Sequence, residues 1–231
     1  MNLEQKISQI DKELAGALSS KAVELVAVTK YASDEQVLEA YNLGLRIFGE
    51  NYVLPALEKM QRLKDYFIDG APQWHLLGKL QSNKVKKAVG NFDCIQSVHS
   101  LGLAEAINDQ AQELGIKQKI FLQLNMTGDK NGFEPKSSLG TLIKTFQLAN
   151  LEVIGLMTMG FFANTEEISE KNETIYDEMR QFKSVLESEL DSLGICRDLK
   201  LSMGMSNDYR TAVKNGSTMI RLGRELFGSE F

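Results

Sequence analysis

The residue with the clearest chemical potential is Lys30, which closes the run VELVAVTK and so carries a primary amine off the end of an apolar strand pattern. A lysine amine at such a strand end is a nucleophile suited to forming a Schiff base with an aldehyde. The alternative is an ammonium that simply reaches the water at a rim.

A second group lies in LSMGMSNDYRTAVKNGSTMIRLGRELFG, Leu201 to Gly228. Ser206 is placed to cap a helix NDYRTAVKN that stops at Gly216, and a helix N-terminus offers unpaired N–H groups and a positive dipole end to an anion. Gly223 and Arg224 follow an apolar run and present backbone N–H groups unshielded by a bulky side chain, a pattern suited to phosphate. Ser206 alone reads as an N-cap and Gly223 alone as a turn; together, at the ends of the seventh and eighth strands, they suit an anion grip as well as those structural roles. Arg221, two residues before Gly223, falls on the same side of a strand. It can pair with a carboxylate at the rim or donate to a ring nitrogen.

Other chemistries are poorly represented. His75 and His99 are the only histidines, and with Cys94 and Cys196 they make no metal-ligand spacing. His75, between Trp74 and Leu76, reads as a hydrogen-bonded core residue, and Lys84, Lys86 and Lys87 as a solvated helix face. There is no Ser-His-Asp arrangement, no GxGxxG after the first strand and no Walker loop. The 26 basic and 31 acidic residues, net −5, are interspersed, so no basic stripe would track a nucleic acid. Two cysteines are too few for a disulfide scaffold; each sits beside apolar residues as a buried thiol would, and a reducing cytoplasm is expected. MNLEQKISQIDKELAGAL is charged throughout, and no later run approaches a membrane span, so no membrane association is expected.

The elements that must position these residues are eight short β-rich runs: 24–29, 45–49, 74–78, 93–98, 119–125, 152–158, 199–204 and 218–223. Most are nearly continuous in apolar residues, as strands buried on both faces of a parallel sheet are. Helix signals separate them. Ser33 to Gln36 is a capping box, Ser82-Asn83 opens NKVKKAVG, Ser100 precedes LGLAEAINDQAQELG, and Ser137 or Ser138 starts LGTLIKTFQLAN. NTEEISEKNET reads as a charged helix start, and Ile175, Met179, Phe182, Val185 and Leu186 mark one face of the longest helix. The first helix, with Ile7, Ile10, Leu14 and Leu18 on one face, precedes any strand and would cap or flank the sheet. The strand starts average about 28 residues apart, the size of a strand–helix–strand unit. Eight such units suit a closed (β/α)8 barrel or an open doubly wound sheet. In a barrel, Lys30, Asn51, Ser202 to Ser206 and Arg221 to Arg224 all fall at the C-terminal strand ends, where barrel sites lie.

VAVTK, FGENYV, WHLLGKLQSNK, QLNMTGDKNGF, GLMTMG, LSMGMSNDY and GSTMIRLGRELFG, in this order, resemble the pyridoxal 5′-phosphate homeostasis protein family over residues 20 to 228. The resemblance implies an α/β chain, residues 1–231, forming a single-domain (β/α)8 TIM barrel like the N-terminal domain of alanine racemase, with an extra N-terminal helix. It implies bound pyridoxal 5′-phosphate (PLP): Lys30 as the Schiff-base lysine, Ser206, Gly223 and Arg224 as the phosphate cradle, Arg224 through its backbone N–H, Arg221 against the pyridine nitrogen, Asn51 lining the site, and Ser202, Met203 and Gly204 as the adjoining wall. Three features depart from the family pattern: the compact loop around Lys130, Pro55 in a first helical turn, and His99 where an aspartate is usual.

An arginine facing the pyridine nitrogen keeps it unprotonated and weakens the ring as an electron sink. The second acid/base of racemases comes from a further C-terminal domain, for which a chain ending at Phe231 has no room. The expectation is a monomeric, cytoplasmic PLP carrier without established catalytic activity, which buffers the cofactor and could pass it to apo-enzymes. The alternatives are an amino-acid racemase using Lys30 with Tyr31 or Tyr52, and a barrel for another phosphorylated ligand.

Overall fold

Each of the eight apolar runs forms a strand because branched and aromatic residues fill both sides of a sheet covered by helices. The computed structural model describes residues 1–16, 22–128, 131–162 and 165–228. The strands are β1 Glu24–Val28, β2 Ile47–Glu50, β3 Gln73–Leu76, β4 Cys94–Val98, β5 Gln118–Gln123, β6 Leu151–Met157, β7 Lys200–Ser202 and β8 Met219–Leu222. Every neighbouring pair is parallel, and β8 returns to β1, so the sheet closes into a barrel rather than staying open.

The helices are α1 Leu3–Ala15, α2 Asp34–Asn42, α3 Val53–Leu63, α4 Val85–Ala88, α5 Leu101–Glu113, α6 Pro135–Phe146, α7 Glu166–Ser192, α8 Tyr209–Lys214 and α9 Arg224–Phe227. Ser33 and Gln36 cap each other at the start of α2, at 3.3 and 3.0 Å, and Ser100 Oγ accepts from the Leu103 N–H at 3.3 Å. Thr165 caps α7, so the acidic stretch is a helix start. Pro55 falls in the first turn of α3, where its missing N–H removes no helical bond.

Several local expectations are corrected. The sixth helix begins at Pro135, not at Ser137 or Ser138, because proline's fixed φ suits the first helical position. The segment after Ser82 is one 3₁₀ turn and one turn of α4. Ile175, Met179 and Leu186 form the inner face of α7 as expected, with Phe182 partly covered, but Val185 is exposed, and Asn172, Tyr176 and Leu190 extend the buried face. Cys94 is buried, whereas Cys196 is exposed in the connection between α7 and β7.

Strand parity separates two cores. Ala27, Ile95, Ile120 and Ile220 face the helices, and their neighbours Val26, Cys94, Phe121 and Met219 fill the barrel interior. Helix α1 flanks the barrel, burying Leu3, Ile7 and Ile10, with Leu14 partly covered; Leu18 lies outside the described residues. It is fastened to the last helices by Lys6 Nζ donating to the Leu226 carbonyl at 2.9 Å and by Glu13 pairing with Arg210 at 2.9 Å.

Candidate functional site

A cavity of about 550 Å³ opens at the C-terminal mouth of the barrel, within the range of roughly 300–1,000 Å³ typical of small-molecule sites. Lys30, Asn51, Ser206, Arg221, Gly223 and Arg224 all line it. The chain thus brings six of the expected site residues, from four strand ends, to one space.

Lys30 stands two residues beyond β1, half-buried, with its Nζ 4.9 Å from the Tyr31 ring centroid. Buried groups hold the turn that carries it. Thr29 Oγ1 donates to Glu50 Oε1 at 2.8 Å, Lys59 Nζ donates to the same oxygen at 2.8 Å, and Lys59 also donates to the Thr29 carbonyl. Asn51 follows β2, and its backbone lies against Gly78, where an added Cβ would come within 2.1 Å of the Asn51 carbonyl oxygen.

Arg221 forms the depth of the cavity and is 5% exposed. Its Nη1 donates to Ser202 Oγ at 2.8 Å and its Nη2 to the Thr158 carbonyl at 2.9 Å. Among the described residues it has no carboxylate within ion-pair distance; burial lowers its pKa, and the more distant Tyr176 and Asp208 oppose that shift. A buried cation facing only neutral acceptors leaves donors directed at whatever occupies the cavity.

The closing stretch differs from expectation in one particular. Ser206 does not cap α8, whose start has no side-chain cap; its Oγ accepts from the Glu225 N–H at 3.2 Å in the first turn of α9. Ser206 therefore joins the β7 and β8 connections, and its hydroxyl hydrogen stays available to the cavity. The N–H groups of Gly223 and Arg224 have no acceptor among the described residues. The Arg224 guanidinium is committed elsewhere, to Asn207 Oδ1 at 3.1 Å and to the face of Phe162 at 4.7 Å.

Ser202 and Met203 do not line the cavity. Ser202 is fully buried beneath Arg221, and Met203 packs outward among the helices. Gly204 accepts from the Arg221 N–H through its carbonyl at 3.0 Å. His99 lines the opposite side with Lys79 and Asn131, its Nδ1 3.1 Å from the Ser97 carbonyl. Lys130 lies outside the described residues. Sequence reasoning places Glu50 at the end of the second strand but misses its pairing with Lys59, whose spacing resembles any surface pair, and misses Met159 and Phe162 at the rim. No group of three His, Cys, Asp or Glu among the described residues could hold a metal. No helix among them is long and apolar enough to cross a membrane.

Comparison with known proteins agrees with the barrel fold. The family model described as alanine racemase, N-terminal domain, matches residues 2–230. The pyridoxal phosphate homeostasis protein of Schizosaccharomyces pombe is 34% identical, over 95% of this chain and 90% of its own. That of Aquifex aeolicus is 31% identical, over 99% and 98%. The solved structure of PipY from Synechococcus elongatus PCC7942 with PLP bound superposes with a TM-score of 0.86 at 35% identity, covering 98% of this chain and all of that one. Alanine racemase of Clostridium difficile shares the fold at 19% identity and a TM-score of 0.74, with this chain covering 60% of its length. The chain belongs to the pyridoxal phosphate homeostasis protein family, whose barrel is that of the alanine racemase N-terminal domain.

Proposed function

We propose that this protein binds pyridoxal 5′-phosphate in the barrel-mouth cavity, holds it through a Schiff base on Lys30, and serves as a carrier in the cytoplasm rather than as an enzyme. The observation that carries this reading is Arg221: a buried guanidinium with no carboxylate partner among the described residues, lining the same cavity as a lysine at the β1 end. PLP supplies an aldehyde for the amine, a ring nitrogen as acceptor and a phosphate. The donor set meets each of these in turn. Lys30 offers the amine, Arg221 its remaining N–H groups, and Ser206 with the Gly223 and Arg224 backbone the phosphate donors. The PLP-bound PipY structure supports the same ligand for a chain of this similarity.

The choice of carrier over enzyme follows from the residue types. Arginine only donates, so it favours an unprotonated ring nitrogen, whereas strong carbanion chemistry calls for a carboxylate there. The curated relatives are named as homeostasis proteins and not as enzymes. The two described cysteines are both free, in keeping with a reducing compartment. We read the chain further as a single-domain monomer that hands its cofactor to apo-enzymes.

The test is spectroscopic. Protein loaded with PLP should show a visible absorbance band that borohydride fixes and that Lys30→Ala lacks; a colourless loaded wild type refutes the reading. Loaded protein incubated with L-alanine in deuterated water separates carrier from racemase, since Cα exchange with turnover would establish the enzyme. Faster activation of an apo-enzyme by loaded protein than by free PLP at equal concentration would establish delivery.

A further inference from the structure

The interior of a (β/α)8 barrel is ordinarily packed with branched apolar side chains. Here a line of polar groups crosses it below the cavity. Arg221 Nη1 donates to Ser202 Oγ at 2.8 Å, Ser202 Oγ donates to Gln96 Oε1 at 2.6 Å, and Gln96 Nε2 donates to His75 Nδ1 at 2.8 Å. Ser202 and Gln96 are wholly buried, His75 is 3% exposed and Arg221 5%.

Arginine has no acceptor, so Ser202 must receive from it, and Ser202 directs its own hydrogen to the Gln96 amide oxygen. That fixes the Gln96 amide, whose nitrogen also lies 3.1 Å from Met219 Sδ, and so makes His75 Nδ1 an acceptor with its proton on Nε2. Burial agrees, holding the His75 pKa down at about 4, so the ring is neutral. Gln96 and Ser202 are 106 residues apart, and the chain joins β3, β4, β7 and β8. Apolar residues of similar volume would stabilise such a position as well or better. A fully satisfied buried network instead fixes the orientation of its members.

We propose that Gln96 is a positioning residue for the ligand site: through Ser202 it holds Arg221 so that its remaining N–H groups face the cavity, and it relays occupancy of the cavity to His75. This rests on the reading of the cavity as a PLP site. An acceptor arriving on Arg221 repolarises each link in turn, because chained hydrogen bonds strengthen or weaken together. His75 lies outside the cavity lining, so a response there is one that a merely structural role would not produce.

The test uses full-length protein labelled with ¹⁵N-histidine, in which only His75 and His99 report, and His99→Gln assigns the pair. PLP addition should move the His75 ring resonances in the wild type. In Gln96→Leu the visible band should still form, the His75 response should vanish, and PLP release should quicken about fivefold, as expected for the loss of the neutral hydrogen bond from Ser202 that steadies Arg221. Gln96→Glu keeps the acceptor for Ser202; it should restore slow release while moving the His75 proton to Nδ1. A wild-type His75 that ignores PLP, or a Gln96→Leu protein that releases it at the wild-type rate, overturns the proposal. Should Gln96→Leu fail to fold, the wild-type His75 response decides alone. Absence of any visible band in the wild type would instead refute the reading of the cavity itself, and the proposal with it.

Discussion

Lys59 Nζ lies 2.8 Å from Glu50 Oε1 with both side chains removed from water, directly behind the turn that presents Lys30. Breaking a buried pair leaves the surviving charge uncompensated, which costs about 3–5 kcal/mol, whereas replacing both partners with apolar residues is often near neutral. Lys59→Met should therefore lower the urea midpoint strongly, and Glu50→Leu/Lys59→Met should recover much of the loss. The double variant still lacks the donor to the Thr29 carbonyl. It should form its visible band more slowly with PLP despite the regained stability, and stopped-flow absorbance reads the difference.

Ser206 accepts from the Glu225 N–H and keeps a hydroxyl hydrogen for the cavity, so its removal has two separable effects. Ser206→Ala should cost about 1 kcal/mol of stability, as the loss of a cap does. It should also weaken PLP binding about tenfold, with pyridoxal, which lacks the phosphate, bound as before. Parallel titrations with the two ligands make the comparison; equal weakening of both would place Ser206 outside the phosphate grip.

How much of this was legible in the sequence depended on how local the cause was. The strands were readable because apolar runs report burial on both faces, and Lys30, Arg221 and Gly223 were readable because strand ends place side chains at the mouth. Ser206 was correctly placed at the mouth but assigned to the wrong helix. Its partner is the helix that starts eighteen residues later, not the adjacent one, and only the return of β8 beside β7 brings that partner close. The Glu50–Lys59 pair and the Gln96–Ser202 link had no sequence signature, since a charged or amide residue reads as exposed until the barrel closes around it.

Gly160 occupies a junction where a side chain has no room: an added Cβ would lie 2.6 Å from Tyr176 Oη, 2.7 Å from Asn172 Oδ1 and 2.8 Å from Asp208 Oδ2. The Asp208 carboxylate accepts from Tyr176 at 2.7 Å, from Asn172 at 3.2 Å and, through its other oxygen, from the Met205 N–H at 2.6 Å. The junction thus ties the segment after β6 to the loop carrying Ser206. Gly160→Ala should destabilise by about 1–3 kcal/mol through overpacking. It should also loosen PLP more than pyridoxal, because the disturbed loop carries a phosphate donor. Thermal unfolding and the same paired titrations check both parts.

His75 sets an acid limit on the fold. Its ordinary pKa of 6.5 falls to about 4 in the barrel because burial, and then the Lys200 and Lys119 charges, disfavour the imidazolium. Between those two values the unfolded chain binds a proton that the folded chain refuses, so stability declines as pH falls from 6.5 towards 4 and this contribution levels off below. The difference in pKa corresponds to about 3 kcal/mol over the window. Glu13 acts lower: hydrogen bonding to Arg210 first, with further help from Tyr209, brings its pKa from 4.5 to about 2, so the stability it contributes is lost only between those values. His75→Asn keeps an acceptor for Gln96 and does not titrate. Urea midpoints at a series of pH values should show a slope between 6.5 and 4 in the wild type that is smaller in His75→Asn, while Glu13→Gln leaves that slope intact and flattens the decline below 4.5. Equal slopes in wild type and His75→Asn would mean that the imidazole is already protonated, or not refused a proton, inside the barrel.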